Sequence, residues 1–405
     1  MEEIYDLLVL GGGPAGMAAG MYGARAKMKT AIIEKGRPGG QAATTDELEN
    51  YPGFGRGTTG PALTQAMADH AVSFGAEFIK DTVTAIDLKS IPKKISGKKG
   101  EYLAKSVIYA MGAEPRMLKV PGEGKLRGKG VSYCATCDAE LFEELDIAVV
   151  GSGDAAIEEA EYLSKFAESV TMLVIHEEGK VDANQVSFER ARKNPKLKWK
   201  WNAIVQSING DELVESVTIK NIKEGTEEDY PVNGVFIFIG TVPLSDMIKD
   251  QVEVTRSGYI ITDEKMATNI EGFFAAGDVR DKYLRQVITA ASDGAIAAMA
   301  AEKYVHETEL WENEVLRAQK PVIVVYYNPT DMEGTQKVGI ADSFVRQYND
   351  QFSLVKVDAT RNELAERRYH IDLDQLPLVH VFSGGELKKT ITEISRETLA
   401  GLLSH

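Results

Sequence analysis

The sequence predicts an α/β chain of two Rossmann-like lobes followed by a smaller α/β domain, and three observations carry that reading. A short apolar run, Asp6 to Leu10, leads into Gly11-Gly-Gly-Pro-Ala-Gly16, a small-residue helical stretch from Met17 to Lys27 and a second apolar run, Thr30 to Glu34. The same order returns as Ile147 to Val150, Gly151-Ser-Gly-Asp-Ala-Ala156, a helix to Lys165 and a strand from Val170 to Ile175. After Tyr304 the pattern changes, and from Pro321 a β-α-β-α-β-β-α order emerges.

Taken in order, each element has a physical reason. Short, unbroken apolar runs ending at glycine suit parallel strands buried on both faces. Gly11-x-Gly13-x-x-Gly16 lets the backbone turn tightly and bring its amides to a pyrophosphate at a helix N-terminus, with Pro14 and Ala15 in the first turn. Glu34 closes the next strand, where a carboxylate can accept hydrogen bonds from ribose hydroxyls. Val235 to Gly240 reads as a further buried strand, and Phe273-Phe-Ala-Ala-Gly-Asp278 as a strand closing on a glycine turn. The polar stretches Ser90 to Gly100 and Asn221 to Asp229 predict exposed hairpins or loops. His306 to Lys320, charged and containing Trp311, predicts a helical connector. Strands are expected at Val322 to Tyr327, Ser353 to Val357, Leu378 to Phe382 and Glu386 to Thr390. Helices are expected near Val338 to Tyr348, near Asn362 to Tyr369 and from Ser395.

The chain has 405 residues, 43% of them hydrophobic, enough for two or three domains with buried cores. A formal net charge of −15 argues against nucleic acid and anionic membrane surfaces as partners. No apolar run approaches the roughly 20 residues of a membrane helix. The acidic start, Met1 to Tyr5, enters a strand with no leader in front of it, so a cytoplasmic protein is expected.

The only two cysteines stand three apart, in Cys134-Ala-Thr-Cys137. A structural zinc site takes about four ligands, and no second cysteine pair or histidine cluster supplies the rest, so no metal is expected. In a reducing compartment a lone pair at this spacing is seldom a structural staple. It can cycle between dithiol and disulfide with little backbone movement. Asp138, next in sequence, is a candidate proton donor or acceptor for the thiol that attacks or leaves, with a helix cap as its alternative role.

Gly11 to Gly16, Gly39-Gly-Gln41, Glu49-Asn-Tyr-Pro-Gly53, Cys134-Ala-Thr-Cys-Asp138, Ala275-Ala-Gly-Asp278 and Arg285-Gln-Val287 occur in that order. On these motifs, roughly residues 4–305 resemble the low-molecular-weight thioredoxin reductases. The resemblance implies a homodimeric flavoprotein with non-covalent FAD. Its contacts would be Gly11, Gly13, Pro14, Ala15, Gly16, Glu34, Gly40, Gln41, Asn50, Gly277, Asp278, Arg285, Gln286 and Val287. It also implies that Cys137 exchanges electrons with the flavin and that Cys134 forms the mixed disulfide with thioredoxin or a similar small redox protein. The lobe carrying the pair would rotate about linkers near Arg116 to Pro121 and Thr241 to Ser245. The expected domains are 1–117 with 245–305 for FAD, 118–244 for an NAD(P)-type nucleotide and the cysteines, a linker 306–319, and 320–405.

The sequence departs from that family in two places. Gly151, Gly153, Asp154, Ala155 and Ala156 can still cradle a pyrophosphate. Members that use NADPH, however, carry His-Arg-Arg-x-x-x-Arg after the following strand. This chain has His176-Glu-Glu-Gly-Lys-Val-Asp182, whose carboxylates repel a 2′-phosphate. Glu177 lies about 20 residues beyond the glycine loop, where an acidic residue binds an unphosphorylated ribose. NADH and a protein donor such as reduced ferredoxin both stay open, and a solvated surface charge is a third reading of Glu177.

The second departure is the C-terminal domain. Pro321 to Tyr327, Leu354 to Asp358, Leu376-Pro377 and Val381 to Glu386 resemble a thioredoxin fold. Aligned on the first strand, the thioredoxin Cys-Gly-Pro-Cys falls on Asp331-Met-Glu-Gly334, so the redox cysteines are missing; a docking module, a dimer-stabilising element and a degenerate remnant are the open readings, with docking or assembly preferred. The substrate disulfide must then come from another molecule. A flavin-binding redox sensor or scaffold with little turnover is the rival reading.

Overall fold

The computed structural model describes residues 3–44, 48, 50–55 and 57–403, so Glu49 of the motif above lies outside the described residues. The chain divides into two compact units, Met1–Ala301 and Glu302–His405.

In the first unit, Ile4–Leu10 lies within a seven-stranded sheet, with Thr30–Glu34 and then Glu77–Lys80 parallel on one side. On the other side Glu101–Tyr109 runs parallel and is joined by Phe273–Ala275. Lys93–Gly97 and Val83–Asp87 add an antiparallel hairpin. Leu7, Leu8, Val9 and Leu10 are wholly buried, as a strand covered on both faces requires. The hairpin corrects one expectation: Ile95, inside the polar stretch Ser90 to Gly100, is buried in the sheet core. The first helix is Pro14–Arg25, starting at Pro14 rather than Met17, because proline suits a first turn whose N–H has no helical partner.

The second sheet of this unit is wholly parallel, in the order Leu197–Lys200, Ser169–Leu173, Asp146–Val150, Gly234–Ile237, Val131–Ser132. Helix Asp154–Leu163 follows its glycine loop. An antiparallel sheet of Ala203–Asn209, Ser216–Asn221 and Glu227–Pro231 packs Val205, Val217 and Ile219 against Ala148, Val150 and Val235. That completes a ββα layering. The chain crosses between the seven-stranded sheet and the five-stranded parallel sheet twice, and the crossings pair with each other as Ala113–Pro115 against Thr241–Pro243.

The helix Val287–Trp311 runs past the boundary between the units and ends in a π-helical turn, Glu312–Leu316. The second unit holds a four-stranded sheet in the order Ser353–Asp358, Val322–Tyr327, Leu378–Ser383, Glu386–Ile391. The first two strands are parallel and the others antiparallel. Successive side chains of Val322–Tyr327 point to opposite faces. Val322, Val324 and Tyr326 meet Trp311, Leu364 and Phe382, while Ile323 and Val325 meet Val338, Phe344 and Leu399. The helix expected from Val338 spans Met332–Gln347, because Asp331 caps it by accepting the N–H groups of Glu333 and Gly334 at 3.2 and 2.9 Å. Asn362 and Ser395 cap Glu363–Tyr369 and Arg396–Ala400 in the same way. The Leu376–Pro377 peptide is cis. Among the described residues no helix is long and apolar enough to cross a membrane.

Candidate active site

The first glycine loop is bare backbone by necessity. Gly11 has φ +107°, and a Cβ there would lie 2.5 Å from the Ala110 carbonyl oxygen. A Cβ on Gly16 would fall on the carbonyl of Gly11. No other residue type fits either place. Gly13 precedes the helix, which Pro14, Ala15 and Gly16 open. Gly39 donates its N–H to the Gly12 carbonyl at 2.7 Å, bringing Gly40 against Gly13. Glu34 fixes the loop by accepting the N–H groups of Gly12 and Gly36, each at 2.8 Å.

Gly277 lies against Ala15, which sets the neighbouring Asp278 beside the start of this helix. One Asp278 carboxylate oxygen is buried with no hydrogen-bond partner, and burial raises the pKa of the group. Asp293 holds the turn in place. It accepts the Gly277 N–H at 3.1 Å and Lys282 Nζ at 2.7 Å, and lies 3.3 Å from Arg280 Nε. Sequence reasoning missed Asp293, whose signal was a carboxylate set among small residues of a long helix. Arg285 stacks 4.2 Å from the centre of the Tyr259 ring, and Val287 begins the long helix.

Cys134 and Cys137 are joined as a disulfide, with Cα atoms 5.3 Å apart, around the short helix Ala135–Asp138. Gln286 Nε2 donates to Thr136 Oγ1 at 2.9 Å and lies 4.0 Å from Cys134 Sγ. Asn50 Nδ2 donates to Gln286 Oε1 at 3.1 Å. Arg127 donates to Gln41 Oε1 at 3.1 Å and covers the Tyr133 ring. Residues far apart in sequence therefore converge on the pair. Asp138 accepts the Ser132 hydroxyl at 2.5 Å, and the Ser132 oxygen accepts the Cys134 N–H at 3.1 Å. Asp138 also precedes the 3-10 turn Ala139–Phe142, to which its side chain makes no cap bond. Tyr133 donates to the buried Glu123, which also accepts the N–H groups of Leu118 and Lys119 and so ties down the first crossing between sheets. Ser132, Thr136, Glu123 and Arg127 were not among the predicted residues.

The second glycine loop is differently engaged. Gly151 has φ +141°, and Gly153 stands at the cap of helix Asp154–Leu163; Asp154 and Ala155 are exposed and Ala156 is buried. Asp182 folds back onto this loop, accepting the Ser152 hydroxyl at 2.6 Å and meeting His176 Nε2 at 2.9 Å. The N–H groups of Asp182 and Ala183 donate to the Ser152 carbonyl at 3.0 and 2.9 Å. The bond from Ser152, and then that from His176, hold the Asp182 carboxyl below its usual range. Asp154 accepts the backbone and side-chain N–H groups of Asn184 at 2.8 and 2.6 Å. Glu177 is exposed and paired with Lys180, which lowers its pKa. Fixed negative charge therefore flanks the loop on two sides. Among the described residues no group of three or more His, Cys, Asp or Glu is placed to hold a metal ion.

Comparison with known proteins identifies the family. The family model for pyridine nucleotide-disulphide oxidoreductases matches residues 5–294. A thioredoxin reductase of Peptoclostridium acidaminophilum is 52% identical over 311 residues, covering 75% of this chain and 98% of that relative. One from Bacillus subtilis (strain 168) is 44% identical over 310 residues, covering 76% and 97%. Among solved structures, thioredoxin reductase from Streptococcus pyogenes MGAS5005 matches with a TM-score of 0.71 at 42% identity, covering 76% of this chain and 99% of its own. The Lactococcus lactis thioredoxin reductase in its FR conformation matches with a TM-score of 0.55 at 43% identity, covering 75% and 99%. A long family match, a disulfide beside convergent polar groups and relatives of this similarity lead to one conclusion: the chain belongs to the pyridine nucleotide-disulphide oxidoreductase family, in its low-molecular-weight thioredoxin reductase class, and is a flavoprotein disulfide oxidoreductase.

Proposed function

We propose that electrons enter through FAD, reduce the Cys134–Cys137 disulfide and leave by dithiol exchange to the disulfide of a thioredoxin or similar small redox protein. FAD, which the family implies, fits the residues present. The bare backbone of Gly11, Gly13 and Gly16 suits a pyrophosphate, while Glu34 and the orphaned Asp278 oxygen suit hydroxyl donors. Pro14, Ala15, Gly40, Gly277, Arg285 and Val287 would complete the contacts. Bound there, FAD supplies a carrier for an electron pair.

The observation that carries this reading is Gln286. A single side-chain amide bonds both Asn50, assigned to the flavin, and Thr136 of the redox loop. In this reading Cys137 faces the flavin, Cys134 attacks the incoming disulfide, and Asp138 exchanges the proton through the group bonded to Ser132. The domains follow as 1–117 with 245–305 for FAD, 118–244 for the second lobe and 320–405 as a thioredoxin-like module for docking or assembly, in a homodimer. The strand order of the second unit supports that module. Two relatives of nearly equal identity give TM-scores of 0.71 and 0.55, which supports lobes that take more than one arrangement about the paired crossings.

The donor we infer is not NADPH. Asp182 stands where the last arginine of the NADPH motif is expected, with Glu177 and Glu178 before it. NADH remains compatible with Glu177 on the ribose. A protein donor such as ferredoxin is favoured by Asp182 already bonding Ser152 in the loop and by Lys180 already pairing Glu177. The test is anaerobic mixing of the purified holoprotein with NADH, NADPH or reduced ferredoxin while flavin absorbance is followed. Rapid bleaching by NADH or ferredoxin is expected. Bleaching fastest with NADPH would overturn the donor assignment, and no bleaching with any of them would overturn the reductase reading.

A further inference from the structure

We propose that Thr136, oriented by Gln286, is the hydrogen-bond donor that stabilises the Cys134 thiolate and thereby sets how readily the pair accepts and gives up electrons. This rests on the reading of the pair as the electron exit.

The orientation follows from the placement of the Asn50 amide nitrogen against Gln286. Asn50 Nδ2 can only donate, so the atom it bonds on Gln286 is the amide oxygen, which turns the Gln286 nitrogen toward Thr136. That nitrogen also can only donate. Thr136 Oγ1 is therefore the acceptor in the 2.9 Å bond, and its own proton is free for a second partner. Cys134 Sγ lies 3.5 Å from Thr136 Oγ1, and the second Gln286 proton is held near the same sulfur at a nitrogen–sulfur distance of 4.0 Å. Two donors thus converge on one sulfur.

In the disulfide this sulfur is a weak acceptor. When an electron pair supplied by the reduced flavin enters the S–S bond, the bond breaks and both sulfurs become anions. One of them takes up a proton, leaving one thiol and one thiolate. A thiolate is a strong acceptor for O–H and N–H groups. Thr136 therefore favours the thiolate on Cys134 and draws the equilibrium toward the reduced pair. Thr136 travels with the cysteines, whereas Gln286 and Asn50 belong to the other lobe. Departure of the pair toward its substrate weakens this stabilisation and leaves a more basic, more nucleophilic sulfur.

The experiment uses holoprotein reduced anaerobically with dithiothreitol. Iodoacetamide alkylation of Cys134 is followed against pH by peptide mass spectrometry, and the disulfide is equilibrated in glutathione redox buffers. Thr136→Val should raise the Cys134 midpoint by about one pH unit, slowing alkylation about tenfold on the acid side, and move the glutathione equilibrium toward the disulfide. Thr136→Ser should restore both. Gln286→Met should move both in the same direction, and because Gln286 acts partly through Thr136 the double variant should shift by less than the sum of the two single shifts. A Thr136→Val protein with the wild-type pH profile and glutathione equilibrium overturns the proposal, as does a Thr136→Ser protein that fails to restore them. Failure of the underlying reading looks different: wild-type holoprotein would then reduce no protein disulfide, whatever its thiol titration.

Discussion

Replacing Asp278 by Asn separates a cofactor-holding carboxylate from a structural one, because the two roles move apoprotein stability and flavin affinity in opposite directions. In the structure one Asp278 oxygen is buried without a partner, and burial raises the pKa above the ordinary carboxylate range, against the opposing pull of Lys282 and Arg285. A raised pKa means that the folded apoprotein binds this proton more readily than the unfolded chain. The group therefore costs stability progressively as pH rises from the unfolded value of about 3.9 through the raised one, and the cost is fully present above both. Asn has no charge to desolvate, so the apo variant should unfold at a higher temperature than wild type at neutral pH. The gain should vanish in acid. FAD affinity should move the other way. A hydrogen bond to a charged acceptor is worth roughly 1.5–3 kcal/mol and a neutral one roughly 0.5–1.5. The variant should thus lose about 1–2 kcal/mol, or about 5- to 30-fold in Kd. Flavin fluorescence quenching during titration of deflavinated protein measures the affinity, and thermal unfolding of the same apoprotein measures the stability. An apo variant that is destabilised at neutral pH, or one that binds FAD as tightly as wild type, refutes the reasoning.

Three further outcomes follow from the same geometry. Glu177→Arg with Glu178→Arg should raise NADPH-driven flavin reduction roughly tenfold by replacing repulsion with phosphate contacts; stopped-flow absorbance reads this, and no rise means that the loop takes no nucleotide. Gly294→Ala would drive a Cβ into the Ala15 carbonyl. It should cost about 1–3 kcal/mol by forcing the long helix off the first one, seen as a lower unfolding midpoint in urea. Asp331→Ala removes the cap of helix Met332–Gln347 and should destabilise the second unit by about 0.5–2 kcal/mol, measured by hydrogen exchange in that helix with flavin reduction unchanged.

Much of the fold was legible because its central strands are unbroken apolar runs and its glycine loops are local. Thr30–Glu34 falls as expected, since its buried side chains are contiguous in sequence. Helix starts were harder. Asp331 occupies the slot that aligns with a thioredoxin redox cysteine, and its capping role depends on the backbone N–H groups of Glu333 and Gly334, whose direction no sequence pattern marks. The strand around Ile95 was masked by neighbouring lysines, one of which, Lys93, is itself buried with its ammonium on the Leu88 carbonyl. In the site, the cysteines and glycines announced themselves through spacing. The bond from Gln286 to Thr136 joins residues 150 positions apart, and nothing in one sequence marks such a pair. Asp182 is an intermediate case: its sign was readable, but its bond to Ser152 was not.

The central claim is that Cys134 and Cys137 form a second redox centre in communication with FAD. Anaerobic reductive titration of the holoprotein with dithionite tests it most directly, comparing wild type with Cys134→Ser. Wild type should take up one electron pair per chain more than the variant, whose flavin alone accepts electrons. Equal uptake by both proteins would contradict the account.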